Sequence, residues 1–226
     1  MNKDLEHRLG HTFENPRLLQ QALTHPSLAG GKGMRKDSNQ RMEFLGDRVL
    51  GLIIAEMLYQ AYPDEEEGAM ARRHTAMVRR EALARVASEI GLAGHVNMAP
   101  SEQDTGGRQN PALLADACEA VIAAIYLDGG IAPAGQFIRR YWSPLMAEIA
   151  VPPLDAKTAL QEYAQSQGLA LPSYQEICRS GPAHDPVFTM AVTIEGSDPV
   201  SATGGSKRIA EQATAALLLD TLRQQK

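Results

Sequence analysis

The sequence predicts an all-α domain over residues 1–149, a linker at 150–154, and a smaller α+β domain of order α-β-β-β-α over 155–226. Three observations predict this arrangement. Before the linker, apolar residues recur at three- and four-residue spacing, the period of helices with one face in a core. Adjacent prolines, Pro152 and Pro153, end that pattern, because proline donates no backbone hydrogen bond and favours an extended connection. Beyond them come short β-prone runs divided by Gly, Pro and Asp.

Taken in order, Met42, Leu45, Val49, Leu52, Ile53 and Leu58 mark a long helix, and similar stripes run through Thr75–Ile90 and Leu113–Leu127. The most apolar helix, Ala112–Leu127, carries Asp116 and Glu119, so no uncharged run reaches the ~18 residues a membrane span needs. Residues Met1–Glu6 lack the apolar run of a secretory signal. After the linker, Lys157–Gln167 reads as a short helix stopping near Gly168. Ser173–Arg179, Pro186–Glu195 and Pro199–Thr203 read as strands, separated by Gly181-Pro182 and Gly196-Ser197-Asp198 turns. An Ala/Leu-rich helix from Ser206 to Gln224 closes the chain.

At 44% hydrophobic and 22% charged residues, the composition is that of a folded globular protein. The two cysteines, Cys118 and Cys178, are far apart and stand at no metal-ligand spacing. They are expected to be small reduced hydrophobes, which points to a cytoplasmic protein. A net charge of −5 runs against broad attraction to phosphate, so any nucleic-acid contact must rest on local basic residues.

Two acidic pairs stand out. Glu43 and Asp47, four apart, share one helix face, and so do Asp116 and Glu119, three apart. Either pair alone fits an ordinary solvated helix face. Both, however, lie in strongly apolar segments, and no Lys or Arg occurs between Pro111 and Leu127. If the two helices pack together, four carboxylates converge and repel, and a divalent cation resolves the repulsion. An all-oxygen ligand set suits Mg²⁺, with Mn²⁺ as a substitute. A di-iron bundle would want histidine in Glu-x-x-His motifs, which neither pair contains. Magnesium also takes oxygens from substrate phosphate, so metal-assisted phosphodiester hydrolysis fits the arrangement.

The run Asn39-Gln40-Arg41-Met42-Glu43-Phe44-Leu45-Gly46-Asp47 closely resembles the signature of the bacterial ribonuclease III family. Ala22-Leu23-Thr24-His25, Glu67-Gly68 and Gly106-Gly107-Arg108 match in the right order. Leu114-Ala115-Asp116-Ala117-Cys118-Glu119-Ala120, running on to Tyr126-Leu127-Asp128-Gly129-Gly130, completes the nuclease pattern. The resemblance implies a double-strand-specific endoribonuclease. In it Glu43, Asp116 and Glu119 would bind Mg²⁺, Asp47 would position the attacking water, and Glu119 would also be catalytic. Glu67 would be a further cleft acid. The family acts as a homodimer with two centres, each cutting one strand to leave 5′ phosphates and short 3′ overhangs. Its substrates are ribosomal RNA precursors and structured messenger and transfer RNA transcripts.

Two positions depart from the family pattern. Gln40 stands where Glu is usual, which leaves hydrogen bonding but removes a charge. Arg48 stands where a small residue is usual, and one helical step is expected to turn it about 100° from Asp47, into a surface or interface ion pair.

The C-terminal segment resembles a double-stranded-RNA-binding domain. Lys157-Thr158-Ala159-Leu160-Gln161-Glu162-Tyr163 is similar to its first helix, Gly181–Phe188 to its first hairpin, and Gly204–Ala213 to the entry of its second helix. A helix starting near Ser206 presents N–H groups and a positive dipole end to phosphate, with Lys207 and Arg208 in its first turn. Those basic residues oppose the dipole, which a phosphate ligand would explain. Gln161 and His184 could reach the minor groove and 2′-hydroxyls, in a mode that reads A-form shape over ~16 base pairs. From Asp155 onward six Lys/Arg face eight Asp/Glu, a net of −2, so modest affinity and shallow salt dependence are expected.

The expected partners are thus double-stranded RNA and a second copy of the chain, with no membrane and no organic cofactor. An alternative is a non-catalytic double-stranded-RNA-binding dimer, which predicts loss of an acidic ligand, although all four are present. A helical nucleotide hydrolase would instead want a His-Asp pair, and His74 has no adjacent Asp.

Overall fold

The computed structural model describes residues 3–28, 38–149, 156–182 and 186–224, so the expected linker at 150–154 and His184 lie outside the described residues. Two compact units divide the chain, Met1–Pro153 and Leu154–Lys226.

The first unit is helical: α1 (Lys3–Leu9), α2 (Pro16–Ala22), α3 (Gln40–Ala61), α4 (Glu67–Val78), α5 (Arg80–Glu89), α6 (Pro100–Asp104), α7 (Pro111–Gly129) and α8 (Ile131–Glu148). At its centre is α7, apolar on nearly every side and buried from Leu113 to Ile125 except at Asp116 and Glu119. Helices α2, α3, α5 and α8 pack around it. Both α2 and α7 start with an Asn-Pro pair. The Asn15 and Asn110 side chains accept the N–H of Arg17 and Ala112, while Pro16 and Pro111 occupy first-turn positions where no N–H is needed. The entry of α3 is fixed differently: the buried Asn39 donates its backbone N–H to the Thr24 carbonyl at 2.9 Å.

The single stripe expected over Thr75–Ile90 is two helices. The chain is extended at Arg79 (φ −70°, ψ 158°), between α4 and α5. The indole N–H of buried Trp142, on α8, donates to the Met77 carbonyl at 2.8 Å. In a continuous helix that carbonyl would serve residue 81, so the tryptophan satisfies the acceptor the break exposes. The break frees α5 to pack on α7 while α4 packs on α3.

The second unit comprises α9 (Ala156–Ser166), β1 (Ser173–Ser180), β2 (Val187–Thr193), β3 (Val200–Gly204) and α10 (Lys207–Gln224). Its antiparallel sheet runs in the order β1-β2-β3. Val192 and Ile194 meet Leu160, Ala164, Ala215, Leu218 and Leu219 in a separate small core. This is the α-β-β-β-α order the sequence predicts. Along β1 the register shifts between Glu176 and Cys178, leaving Ile177 as an extra residue. Cys178 is consequently not a packed hydrophobe: it is free and exposed on an edge strand, whereas Cys118 is free and buried.

Candidate active site

Glu43 lies near the start of α3 and Asp47 one turn further on; Asp116 and Glu119 lie in the first half of α7. The two helices bring these positions together at Gly46. A Cβ built there would stand 1.8 Å from the Glu119 carbonyl oxygen and 2.5 Å from its carbonyl carbon. Only a residue without a side chain permits this approach of backbone to backbone. Gly46 carries a signal that spacing of acids does not: an isolated glycine on the buried face of an apolar helix costs about 1 kcal/mol against alanine, so it needs a packing reason.

Among the described residues, Glu43, Asp116 and Glu119 each offer a carboxylate oxygen within 4.8 Å of the other two. All three are half-buried. Burial raises the Glu119 pKa to about 8, aided by the charges of Asp47, Glu43 and Asp116 and opposed by Arg48. Burial, then Asp116 and Asp47, also raise Glu43. Asp116 is raised by burial, against the opposing influence of Arg80 and His25. The metal-free site therefore resists full ionisation. Its oxygen donors, close spacing and excess negative charge fit a hard divalent cation.

Asp47 sits at the edge of this group. Its side chain is 39% exposed and paired with Arg48. Arg48 thus forms the expected surface ion pair, but with Asp47 itself, so the expectation that one helical step turns it away from Asp47 is corrected. Its guanidinium, 5.2 Å from the Phe44 ring centroid, lies over that ring, and the long side chain reaches Asp47 despite the helical step. Arg80, which sequence spacing does not connect with α7, comes from α5, and His25 comes from the segment after α2. The His25 Nδ1 is 2.8 Å from the Ser27 hydroxyl, whose oxygen accepts the Ala99 N–H at 3.0 Å.

Gln40 is the exposed first residue of α3. Glu67 begins α4 and lines a mostly apolar cleft with Ala55, Leu58, Tyr59, Met70 and His74. Gln161 is exposed on α9, and Lys207 and Arg208 are exposed in the first turn of α10. Ser206 caps that turn by accepting the Ile209 N–H at 3.3 Å.

The comparisons agree with this geometry. Residues 15–145 match the Ribonuclease-III-like family model, and residues 156–222 match the double-stranded RNA binding motif. A "Ribonuclease 3" of Jannaschia is 49% identical over 215 residues, covering 95% of this chain and 93% of that protein. The Bradyrhizobium diazoefficiens protein of the same name is 44% identical over 219 residues, covering 97% of this chain and 88% of that protein. A solved nuclease domain of the Campylobacter jejuni enzyme superposes with a TM-score of 0.57 at 33% identity, over 62% of this chain and 98% of that one. A helical nuclease unit with this motif after it defines an endoribonuclease acting on double-stranded RNA. The chain belongs to the ribonuclease III family.

Proposed function

We propose that the protein is a Mg²⁺-dependent, homodimeric, cytoplasmic enzyme that cuts both strands of RNA duplexes to 5′-phosphate products with short 3′ overhangs. Mn²⁺ would substitute for Mg²⁺. Ribosomal RNA precursors and structured messenger and transfer RNA transcripts are its substrates in this reading. The observation that carries it is the convergence of Glu43, Asp116 and Glu119 within 4.8 Å beside Asp47.

Glu43, Asp116 and Glu119 would hold the ion. When bound, Mg²⁺ supplies Lewis-acid charge that activates water and offsets charge on the departing oxygen. Asp47, at the exposed rim, orients the attacking water once Arg48 is drawn aside, and Glu119 adds a catalytic proton-handling role. Glu67 is a further acid of the cleft. Gln161, His184, Lys207 and Arg208 hold the duplex from the second domain. Residues 1–149 form the nuclease domain in this reading, 150–154 a linker and 155–226 the RNA-binding domain.

The outer face of α3 supports dimerisation. Phe44, Leu52 and Tyr59 are 67%, 62% and 73% exposed and recur at seven- and eight-residue spacing along one stripe. The Campylobacter nuclease domain shows structural flexibility in a region involved in its dimer formation. A cleavage assay on a long uniform RNA duplex, with Mg²⁺ and then with EDTA, tests the catalytic part of this reading. Short duplex products only with Mg²⁺ are expected; binding without cleavage would make the chain an inert binder.

A further inference from the structure

In the second unit, Lys207 is already engaged. Its ammonium nitrogen lies 2.6 Å from a carboxylate oxygen of Glu176 on β1. The fold holds both partners in place. Tyr174 and Glu176 stand opposite Val192 and Met190, buried residues of β2, so Glu176 lies on the sheet face that carries the helices. The extra residue Ile177 follows at once and ends that alternation. On the other edge, a Cβ at Gly204 would stand 2.6 Å from the Ala210 nitrogen, so β3 passes hard against the first turn of α10. Glycine there and the Ser206 cap set where Lys207 emerges. Lys207 is nonetheless 61% exposed against 33% for Glu176, so the pair is open to solvent and readily exchanged.

We propose that Glu176 is an internal substitute for an RNA phosphate. It occupies Lys207 in the free protein and must be displaced when a duplex binds. The proposal rests on the reading of Lys207 as an RNA contact. A lysine that meets RNA from solvent releases about one condensed cation per phosphate neutralised, which steepens the salt dependence of binding. Here the pair with Glu176 is itself weakened by salt, so added salt relieves the competition while it weakens the phosphate contact, and the two effects partly offset. Glu176 also remains near the incoming phosphate and repels it. Competition and repulsion both lower affinity and flatten its salt dependence, beyond what the net charge of the domain implies.

The test measures binding of the full chain to a labelled RNA duplex of about 20 base pairs, long enough for the ~16 that such a domain spans. It is done in EDTA across a series of KCl concentrations, for the wild type, Glu176→Gln, Lys207→Gln and the double variant. Unfolding curves confirm that each variant is folded. Glu176→Gln is expected to bind about three- to tenfold tighter at low salt, with a steeper log–log salt slope. Lys207→Gln is expected to weaken binding, and to weaken it more in the Glu176→Gln background. If Lys207→Gln weakens binding but Glu176→Gln leaves affinity and slope unchanged, the proposal falls and the contact stands. If Lys207→Gln has no effect in either background, the contact itself falls, and the proposal with it. A Glu176→Gln gain that persists undiminished without Lys207 also overturns the proposal, since general charge relief would then account for it.

Discussion

Replacing Glu119 by glutamine should stabilise the metal-free protein while destroying its activity. Burial and three neighbouring carboxylates raise the pKa of Glu119 from 4.5 to about 8. At about 1.4 kcal/mol for each tenfold change in proton affinity, that corresponds to a ceiling of about 5 kcal/mol. The side chain keeps substantial contact with solvent, so screening reduces the figure to about 2 kcal/mol. The sign follows from linkage. Below pH 4.5 the group is protonated in both folded and unfolded chains and costs nothing. As pH rises, the unfolded chain ionises first, and the penalty on the fold grows until the folded group ionises near pH 8. Urea unfolding in EDTA at pH 5 and pH 8 measures this. Glu119→Gln should gain about 2 kcal/mol over wild type at pH 8 and much less at pH 5. With Mg²⁺ added, wild type should regain stability and the variant should regain less, with no cleavage. An equal gain at both pH values, or none at pH 8, would refute the electrostatic account of this centre.

Other perturbations probe the surrounding framework. Gly46→Ala places a methyl against the Glu119 backbone, where no flexible side chain can yield, so it should cost about 3 kcal/mol or more and weaken Mn²⁺ binding measured by electron paramagnetic resonance. Asp47→Asn should reduce duplex cleavage at least about 100-fold while leaving duplex binding in EDTA unchanged; near-wild-type cleavage would remove Asp47 from the reaction. Trp142→Phe should cost about 2 kcal/mol in urea unfolding, because the Met77 carbonyl loses its buried donor at the α4–α5 break; a neutral result would mean that the break is held by something else.

Much of this was legible in the residues, for reasons that also mark the limit. The Glu43/Asp47 and Asp116/Glu119 pairs show because helical spacing alone places each on one face. Their meeting depends on Gly46, whose meaning comes from a backbone 73 positions away and not from its own neighbours. The strands of the second unit read well because alternation and Gly/Pro turns are local signals. The break at Arg79 does not, since it is satisfied by Trp142, a residue of another helix. The surface ion pair of Arg48 is legible but its partner is not, because backbone direction leaves out side-chain length: the side chain's reach over Phe44 outruns one helical step. Cys178 was misjudged for the opposite reason, as a small apolar residue type says nothing about an edge strand and its bulge.

The contact at Gly46 has a practical meaning for anyone redesigning the centre. Two main chains already touch there, so no exchange at that position can draw the acidic side chains closer; every exchange moves them apart. Spacing can thus be adjusted in one direction only, towards larger ions with longer bonds such as Ca²⁺. A preference for a smaller ion would have to come from lengthening a ligand, for example Asp116 to glutamate, rather than from the scaffold.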